Sequence, residues 1–329
     1  MRLLILGGTA FLGHAIASRA LARGHVVTCA ARGSAPVPDG AAFVRVDRDE
    51  PQGLAPLAGV RCDAIVDISR TPRHVERAVR DLDAGHWVFV STTNVYARFD
   101  RREQREDAVL LDEVDDLDDP SDYGRAKVTC ERIVREASAS ATVVRPGLIA
   151  GPGDATSRSG YYPWRFANPT GDDVLVPAGP DFPTAMIDVD DLAAWIVDAA
   201  ERRLDGVFNA TGPTMPLGEV MRHAAAASGS TAAPRWVDPS HLGAHGIAPW
   251  MGARSLPLWI DDPQWRWFAT LDTTAARAEG LVTRPVAETL ARCLAYEKGR
   301  PRPHDGDASR AGLSDDEERD LRAALDGAA

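Results

Sequence analysis

The sequence predicts an α/β fold built around a parallel sheet. Short apolar runs follow one another through the N-terminal part of the chain, and stretches with helical spacing of apolar residues separate some of them. Alternation of this kind implies right-handed crossovers and a sheet that is covered by helices on both faces. The 329 residues are enough for a substantial core, as one large domain or two modest ones.

The elements can be placed in order. The first strand is Arg2 to Leu6, and a helix over residues 11–23 follows it and stops at Gly24. A second helix is predicted over residues 72–82, where Val75, Ala78, Val79 and Leu82 share one face. Further strand candidates are residues 25–30, 43–46, 64–68 and 87–90.

Composition excludes several classes of protein. The formal net charge is −11, which argues against a nucleic-acid partner because such surfaces are usually basic. The N-terminal apolar run, Leu3–Leu6, is too short for a signal-peptide core or a membrane span.

The four cysteines are far apart and form no C-x-x-C pair, so we expect neither disulfides nor zinc and predict a cytoplasmic protein. His241 and His245 lack a carboxylate at a suitable spacing, so no metal site is predicted.

A glycine-rich turn lies between the first strand and the first helix. The segment reads Gly7-Gly-Thr-Ala-Phe-Leu-Gly13, with Ala10 where a third spaced glycine would be expected. Free N–H groups at a helix start favour a pyrophosphate. A turn without a ligand remains the alternative, because the motif alone is weak.

Tyr123 and Lys127 form a second candidate pair. Their i,i+4 spacing places both side chains on one face of a helix. A phenol has an ordinary pKa near 10, and a cation held beside a phenol favours the phenolate form. The pair is therefore suited to acid–base chemistry, although a surface helix with these two residues would also be common.

A third signal follows the strand that ends at Val90, where hydroxyl residues occur in the run Ser91-Thr-Thr-Asn-Val-Tyr96. Four segments, taken in order, resemble the extended short-chain dehydrogenase/reductase superfamily, in its NAD(P)-dependent epimerase/dehydratase family. They are the glycine turn, this run, Tyr123-Gly-Arg-Ala-Lys127 and Arg145-Pro-Gly-Leu-Ile-Ala-Gly-Pro-Gly-Asp154. The similarity runs from Met1 to about Pro213 and includes the segment 186–196. It implies a Rossmann-type doubly wound parallel sheet with a smaller C-terminal substrate lobe.

The resemblance implies roles for particular residues. Thr92 would bind the substrate oxygen, Tyr123 would be the general acid or base, and Lys127 would hold the nicotinamide ribose. Asp47 and Arg48 match the family's adenine-contacting pair, and Ser69 ends the fourth strand beside the cofactor path. The remaining cofactor contacts implied by the motifs are Gly7, Thr9, Ala10, Phe11, Leu12, Gly13 and Pro146.

The end of the second strand predicts the cofactor. Members of the family that prefer NAD carry an acidic residue there for the ribose hydroxyls. Here that position is Ala31, and Arg32 follows it. A guanidinium suits a 2′-phosphate, so NADP(H) is predicted. The alternative is that Arg32 is only an exposed loop arginine and that the cofactor is NAD.

Two departures from the family pattern narrow the substrate. Thr93 and Asn94 stand where nucleotide-sugar dehydratases carry an Asp-Glu pair, and Pro146 and Gly147 replace an Asn that contacts the substrate diphosphate in many epimerases. Both count against a nucleotide-sugar substrate. The predicted substrate contacts are Thr93, Arg158, Tyr161, Tyr162, Trp164 and Arg165.

The predicted domain organisation has three parts. Residues 1–155 form the nucleotide-binding domain, to which 186–213 return; 156–185 and 214–300 form a substrate-binding lobe; 301–329 form a linker and a last helix. Seven of the eight tryptophans lie beyond residue 160. Two roles are open for them: lining a substrate pocket, or packing a loop-rich lobe against the sheet. Packing is the more common role of tryptophan.

The leading hypothesis is a cytoplasmic NADP(H)-dependent oxidoreductase acting on a carbonyl or alcohol of a small molecule. The first alternative is a sugar or nucleotide-sugar epimerase, which would use the same tyrosine. A further alternative is a non-catalytic nucleotide-binding or RNA-associated protein on the same fold. The expected partner is a small-molecule substrate, with no nucleic acid and no membrane, and a homodimer stays open.

Overall fold

The computed structural model describes residues 1–119, 121–177, 179–300 and 309–327. The predicted linker falls in large part on residues 301–308, which lie outside the described residues. The helices are α1 (Phe11–Ala22), α2 (Pro72–Asp81), α3 (Tyr123–Ala137), α4 (Tyr161–Ala167), α5 (Val189–Arg202), α6 (Leu217–Ser228), α7 (Pro239–Ala244), α8 (Thr274–Ala278), α9 (Val286–Lys298) and α10 (Asp315–Gly327).

The strands are mostly short, as expected for an α/β protein. They are β1 (Arg2–Leu6), β2 (Val26–Ala31), β3 (Ala42–Arg45), β4 (Ala64–Asp67), β5 (Trp87–Val90), β6 (Ala141–Pro146), β7 (Leu148–Ala150), β8 (Asp173–Pro177), β9 (Pro183–Thr184), β10 (Met186–Asp188), β11 (Gly206–Ala210), β12 (Met215–Pro216), β13 (Ala233–Val237), β14 (Ala248–Pro249) and β15 (Ser255–Leu256). The strands and helices predicted before residue 91 are confirmed to within one or two residues at each end.

Seven strands form one parallel sheet in the order β11-β6-β5-β4-β1-β2-β3. The order reverses at β1, so the sheet is doubly wound and the fold is Rossmann-like. Its strands read as continuous apolar runs because helices cover both faces. The predicted fold class is confirmed.

The two faces of the sheet carry separate cores. Alternate residues of β1 point to opposite sides: Leu3 and Ile5 pack with α1 and α5, and Leu4 and Leu6 pack with α2 and α3. Ala276 and Leu281, from the segment 214–300, also pack in the core on the α1 and α5 side.

A further core joins the C-terminal elements. Leucines of α6 and α9 pack with Leu148 of β7 and with Leu321 of α10. The Ser314 hydroxyl accepts a hydrogen bond from the Glu317 N–H at 3.2 Å, and the Glu317 carboxylate accepts one from the Ser314 N–H at 2.9 Å. These reciprocal bonds form a capping box, which starts the predicted last helix, α10.

The four cysteines, Cys29, Cys62, Cys130 and Cys293, are unpaired. Within the described part of the chain, no helix is both long enough and apolar enough to cross a membrane.

Candidate functional site

Two depressions meet at the carboxyl ends of the parallel strands. One, here called the Tyr123 cleft, has a volume of about 380 Å³ and lies between the sheet and the C-terminal lobe. The other, called the Arg32 groove, has a volume of about 430 Å³ and lies beyond the ends of β2, β3 and β4. Ala10 and Ile68 line both, so the two depressions adjoin at the glycine turn. Ligands of open α/β sheets bind at this edge.

The glycines of the turn are required by close approaches. Gly7 has a φ of 99°, a backbone conformation that other residues rarely adopt. A Cβ on Gly8 would lie 2.6 Å from the Cys29 sulfur, and one on Gly13 would lie 2.3 Å from the Gly7 carbonyl oxygen. Gly8 thus lets the turn pass over β2, and Gly13 lets α1 pack on the turn.

The start of α1 faces the place where the two depressions meet. Ala10 is the N-cap residue; its side chain caps nothing, and no acidic residue occurs in the first turn. The backbone N–H groups at a helix start have no intrahelical acceptors. Together with the helix dipole they form a site for an anion such as a pyrophosphate. Ala10 is exposed, so its methyl group lies on the surface of this site.

Thr92, Tyr123 and Lys127, which come from two elements, line the Tyr123 cleft together. Thr92 follows β5, and its side-chain oxygen accepts a hydrogen bond from the Asn94 N–H at 3.2 Å. That bond uses a lone pair of the hydroxyl and leaves its proton free to bind a substrate oxygen. Tyr123 begins α3, whose N-cap Asp122 accepts a hydrogen bond from the Arg125 N–H at 3.2 Å.

The Lys127 ammonium is buried and anchored to two strand ends. Its Nζ donates hydrogen bonds to the Ser69 carbonyl oxygen at 2.7 Å and to the Val90 carbonyl oxygen at 2.5 Å. It also lies 4.7 Å from the centre of the Phe89 ring. An ammonium has three donors, so one remains for a group in the cleft.

Three other predicted residues line the same cleft. Thr93 and Pro146 form part of its wall, and Arg158 reaches it from the loop after β7. The Arg158 guanidinium lies over the Trp250 ring, 5.3 Å from its centre, and its Nε donates to the Thr156 hydroxyl at 3.0 Å. Burial lowers the pKa of Arg158, and Asp154 and Tyr123 act in the opposite direction. A desolvated cation of this kind favours an anionic or strongly polar ligand.

The Arg32 groove contains the residues predicted for the adenosine half of a dinucleotide. Gly7, Thr9, Asp47 and Ser69 line it with Arg32, whose side chain is 73% exposed and lies 3.7 Å from an Asp49 oxygen. Arg70, which belongs to none of the sequence motifs, also lines the groove. It directly follows Ser69, and only the course of the chain after β4 brings it there.

Arg48 lines the groove with its guanidinium already engaged. Two of its nitrogens donate to the two Asp67 oxygens at 2.9 and 2.7 Å, and one of them also donates to the His74 carbonyl oxygen at 2.6 Å. Burial alone would raise the pKa of Asp67, but the Arg48 charge and hydrogen bonds, the Ser69 N–H and the Lys127 charge together outweigh burial and lower that pKa. Arg48 therefore fixes the floor of the groove as well as facing it.

The comparisons with known proteins agree with this geometry. The model of the NAD dependent epimerase/dehydratase family matches residues 3–210. The chain belongs to this family. No curated protein sequence matches the chain.

Several solved structures share the fold. A putative epimerase from Burkholderia cenocepacia has a TM-score of 0.71 at 18% identity, covering 91% of this chain and 98% of its own. A Bordetella bronchiseptica enzyme in complex with NAD+ has a TM-score of 0.68 at 16% identity, covering 91% and 98%. UDP-glucose 4-epimerase from Thermotoga maritima has a TM-score of 0.66 at 16% identity, covering 91% and 99%.

Four of the predicted substrate contacts do not line the Tyr123 cleft. Tyr161, Trp164 and Arg165 lie on α4, where Tyr161 and Arg165 are almost wholly buried in the C-terminal lobe. The Arg165 guanidinium lies 2.6 Å from a Glu318 oxygen and donates to the Leu313 carbonyl oxygen at 2.7 Å. These side chains pack the lobe against α10 and do not line the Tyr123 cleft. Tyr162 is buried with them.

Two aromatic residues of the lobe, which were not among the predicted substrate contacts, line the Tyr123 cleft. Trp250 and Phe268 line the Tyr123 cleft with their rings 5.6 Å apart at 86°. Trp259, by contrast, is buried in the core of the lobe. Both roles considered for the tryptophans therefore occur, and spacing in the sequence does not tell one from the other. Among the described residues, no three His, Cys, Asp or Glu side chains form a group that could hold a metal ion.

Proposed function

We propose that this family member is an NADP(H)-dependent oxidoreductase that transfers hydride to or from a carbonyl or alcohol of a small molecule. The observation that carries the proposal is that Thr92, Tyr123 and Lys127 line one cleft, beside a helix start suited to a pyrophosphate. The bound nicotinamide would supply or accept the hydride. The chain would supply the proton and the orientation.

Each residue has a defined task in this proposal. Thr92 donates its hydroxyl proton in a hydrogen bond to the substrate oxygen. Tyr123 gives a proton to that oxygen in reduction and takes it back in oxidation. The free donor of Lys127 binds the nicotinamide ribose, and Arg158 binds an anionic or carbonyl group of the substrate. The predicted contacts of Gly7, Thr9, Ala10, Phe11, Leu12, Gly13 and Pro146 with the cofactor are part of the same proposal.

The preference for NADP(H) is supported by the charges of the Arg32 groove. Arg32 and Arg70 are exposed guanidiniums that line it, and no acidic residue ends β2. A planar guanidinium binds a phosphate with two parallel hydrogen bonds. Asp49 lines the same groove and is the group that would favour NAD.

The polar groups of the Tyr123 cleft argue against a dehydratase. A dehydratase needs a carboxylate free to move protons on the sugar, but Thr93 and Asn94 follow Thr92. Asp154 lines the cleft with both oxygens already accepting hydrogen bonds, one from the Thr156 hydroxyl at 2.6 Å and one from the Ser159 hydroxyl at 2.9 Å. Its oxygens are held by the loop that it organises.

An epimerase is the second candidate function, because the similar solved structures are of epimerases. An epimerase would use the same tyrosine, oxidise a carbon and return the hydride to its other face. Such an enzyme releases no reduced cofactor and retains its nucleotide between turnovers. A reductase exchanges its nucleotide in every cycle.

These properties define the experiment. The purified protein is analysed by mass spectrometry for bound nucleotide and is then assayed for NADPH oxidation with a panel of aldehydes and ketones. We expect weakly held NADP(H) and consumption of NADPH by part of the panel. Tightly retained NAD+ with interconversion of two sugar epimers, and no net NADPH oxidation, would establish the epimerase instead. Tight NADP binding without turnover would revive the non-catalytic alternative.

A further inference from the structure

The Tyr123 cleft carries a positive charge in a chain that is acidic overall. The charged residues that line it, all of them described, are Lys127, Asp154 and Arg158, whereas the whole sequence has a formal net charge of −11. The Asp154 oxygens accept hydrogen bonds from the loop after β7, and Lys127 donates to two strand ends. The cleft therefore has one more cation than anion and attracts an anionic ligand against the charge of the whole chain.

Arg158 has donors that no group of the fold accepts. Its Nε donates to the Thr156 hydroxyl at 3.0 Å, which is the one hydrogen bond that the guanidinium makes to the described residues. The terminal nitrogens, Nη1 and Nη2, remain accessible, because no Arg158 nitrogen is both wholly buried and without a partner. A partly buried cation without a counter-charge is costly, and an anionic ligand offsets that cost.

Two residues that position Arg158 adopt unusual backbone conformations. The Trp250 ring lies against the guanidinium, with its centre 5.3 Å away, and Ser157 directly precedes Arg158 in the chain. Trp250 has a φ of 68° and Ser157 has a φ of 56°, although neither is a glycine. Such strain concentrates at ligand clamps, where the surroundings enforce it. Both strained residues act on the same guanidinium.

The loop that carries Arg158 is built around the Asp154 carboxylate. One Asp154 oxygen accepts hydrogen bonds from the Thr156 N–H at 2.9 Å and hydroxyl at 2.6 Å, and the other accepts from the Ser159 hydroxyl at 2.9 Å. Arg300 donates to the Asp154 carbonyl oxygen at 3.1 Å. The acceptor of the Arg158 Nε is thus itself fixed in place. A guanidinium positioned in advance loses little freedom when a ligand binds.

The free edge of the guanidinium fits a carboxylate. Because Nε is engaged by Thr156, Nη1 and Nη2 remain, and two parallel N–H bonds to the two oxygens of a carboxylate use both. Arg158 lines the Tyr123 cleft and not the Arg32 groove, and Tyr123 is close enough to act electrostatically on its charge. The anion that Arg158 binds therefore lies on the Tyr123 side of the site.

The volume of the cleft limits the size of that ligand. About 380 Å³ is near the lower end of the range for small-molecule sites, and under the proposed function the nicotinamide takes part of it. The space that remains suits a molecule of few heavy atoms and not a nucleotide sugar.

We propose that the Arg158 guanidinium binds the carboxylate of a small oxo acid or hydroxy acid, whose reacting oxygen lies at Thr92 and Tyr123. This inference rests on the proposed function, because it takes the Tyr123 cleft to be where the substrate reacts. It narrows the substrate class from carbonyl compounds and alcohols in general to those that bear a carboxylate. The carboxylate keeps its charge throughout and serves to hold the substrate in place.

The test compares the binding of oxo acids with the binding of their neutral amides. Pyruvate, acetoacetate and levulinate, which differ in the distance between carbonyl and carboxylate, are titrated by calorimetry into the full chain with and without saturating NADP+. Pyruvamide, acetoacetamide and levulinamide are titrated at the same ionic strength, because salt screens charge interactions. Inorganic phosphate is the probe for a site that prefers a phosphate.

Three variants accompany the wild-type protein. Arg158→Gln removes the charge, and Arg158→Lys keeps a charge but loses the planar edge. Arg61→Gln, the control, removes an exposed arginine outside the cleft. Thermal unfolding shows which variants are folded, and Arg158→Lys carries the test if Arg158→Gln does not fold.

We expect the wild-type protein to bind one or more of the acids at least about tenfold more tightly than the matching amide, as for a charge-assisted pair of hydrogen bonds. Arg158→Gln should bring acid and amide to within about twofold, and Arg158→Lys should keep about a third or less of the advantage. Arg61→Gln should keep all of it. The affinity of Arg158→Gln for NADP+ should stay within about twofold of that of the wild-type protein.

Four results would overturn the proposal. They are no preference of the wild-type protein for any acid over its amide, a preference that the Arg158 variants retain in full, tighter binding of phosphate than of every acid, or a loss of NADP+ affinity of about tenfold in Arg158→Gln. The last result would assign the guanidinium to the cofactor pyrophosphate.

NADPH oxidation with the same acids is measured separately and reports on the proposed function. Acids that bind through Arg158 but oxidise no NADPH would contradict the proposed function and leave the carboxylate site in place.

Discussion

The backbone of Gly124 lies against the carbonyl oxygen of Asn94, so closely that a Cβ on Gly124 would lie 2.4 Å from that oxygen. This contact brings the first turn of α3 onto the turn that follows β5, and it sets Tyr123 beside Thr92. The glycine inside the Tyr123–Lys127 motif is therefore a packing requirement. A methyl group there must push two elements apart.

We expect Gly124→Ala to lower both stability and turnover. Alanine favours helices over glycine by up to about 1 kcal/mol, but the clash with a backbone oxygen should cost about 1–3 kcal/mol. The matched control is Gly243→Ala in α7, where an added Cβ has nothing within 4 Å. Urea unfolding and steady-state kinetics measure the two effects. Equal stability changes at both glycines would contradict the packing argument.

We expect Tyr123→Phe to reduce turnover by about 10²- to 10⁴-fold, the usual contribution of a proton-transfer group. NADP(H) affinity should stay within about twofold, because the proposed function assigns the phenol to the substrate oxygen and the ribose contact to Lys127. Kinetics and a fluorescence titration of NADPH measure the two quantities. Tyr296→Phe, on α9, is the control. Turnover retained in Tyr123→Phe would sink the assignment of Tyr123.

We expect Arg32→Ala to weaken NADP(H) binding by about tenfold or more and to leave NAD(H) binding nearly unchanged, because only NADP carries the 2′-phosphate. Arg45→Ala on β3, an exposed arginine outside the groove, is the control. Affinities for both nucleotides come from titration of each protein. Should the wild-type protein bind NAD(H) as tightly as NADP(H), the predicted preference is wrong.

His86 should make stability depend on pH. It is fully buried, with its ring nitrogens 2.9 Å from the Ser140 and Thr142 hydroxyls, and burial lowers the pKa of His86. The unfolded chain therefore binds a proton first as the pH falls through about 6.5. The stabilisation from neutral His86 is complete above that pH and is lost as the pH falls toward the folded-state value.

The measurement is urea unfolding between pH 7.5 and 5.5. Wild-type protein should lose up to about 1.4 kcal/mol per pH unit more than His86→Gln. His74, whose pKa burial also lowers, remains in both proteins and cancels in the comparison. Parallel pH profiles for the two proteins would show that His86 does not contribute.

Glu318 should be a major determinant of stability in the lobe. It is buried, 2.6 Å from Arg165 Nε and 3.1 Å from an Arg322 nitrogen. Removing one partner of a buried ion pair leaves an uncompensated charge, so Glu318→Ala should cost about 3–5 kcal/mol. Asp320→Ala, an exposed neighbour on α10, should change stability by less than about 0.5 kcal/mol. Similar unfolding curves for both variants would contradict this role.

Much of the sheet could be predicted because each strand is a short apolar run bounded by turn residues. The Tyr123–Lys127 pair could also be predicted, because helical spacing alone places the two side chains on one face of the helix. Arg158 and Arg165 show the limit of such reasoning. Both stand near aromatic residues after Gly151, but one reaches the Tyr123 cleft and the other is bound by Glu318 from the far end of the chain. No local pattern reveals a partner that distant.

Lys127 and Tyr123 differ in how much each contributes to the structure of the protein without ligands. Lys127 ties the ends of β4 and β5 together through the Ser69 and Val90 carbonyl oxygens, while Tyr123 is 38% exposed and its hydroxyl bonds to none of the described residues. Lys127 thus serves the fold as well as the proposed chemistry, whereas Tyr123 serves the proposed chemistry alone. Loss of the tyrosine, and not of the lysine, would then be the expected first sign that a descendant of this chain has lost that chemistry.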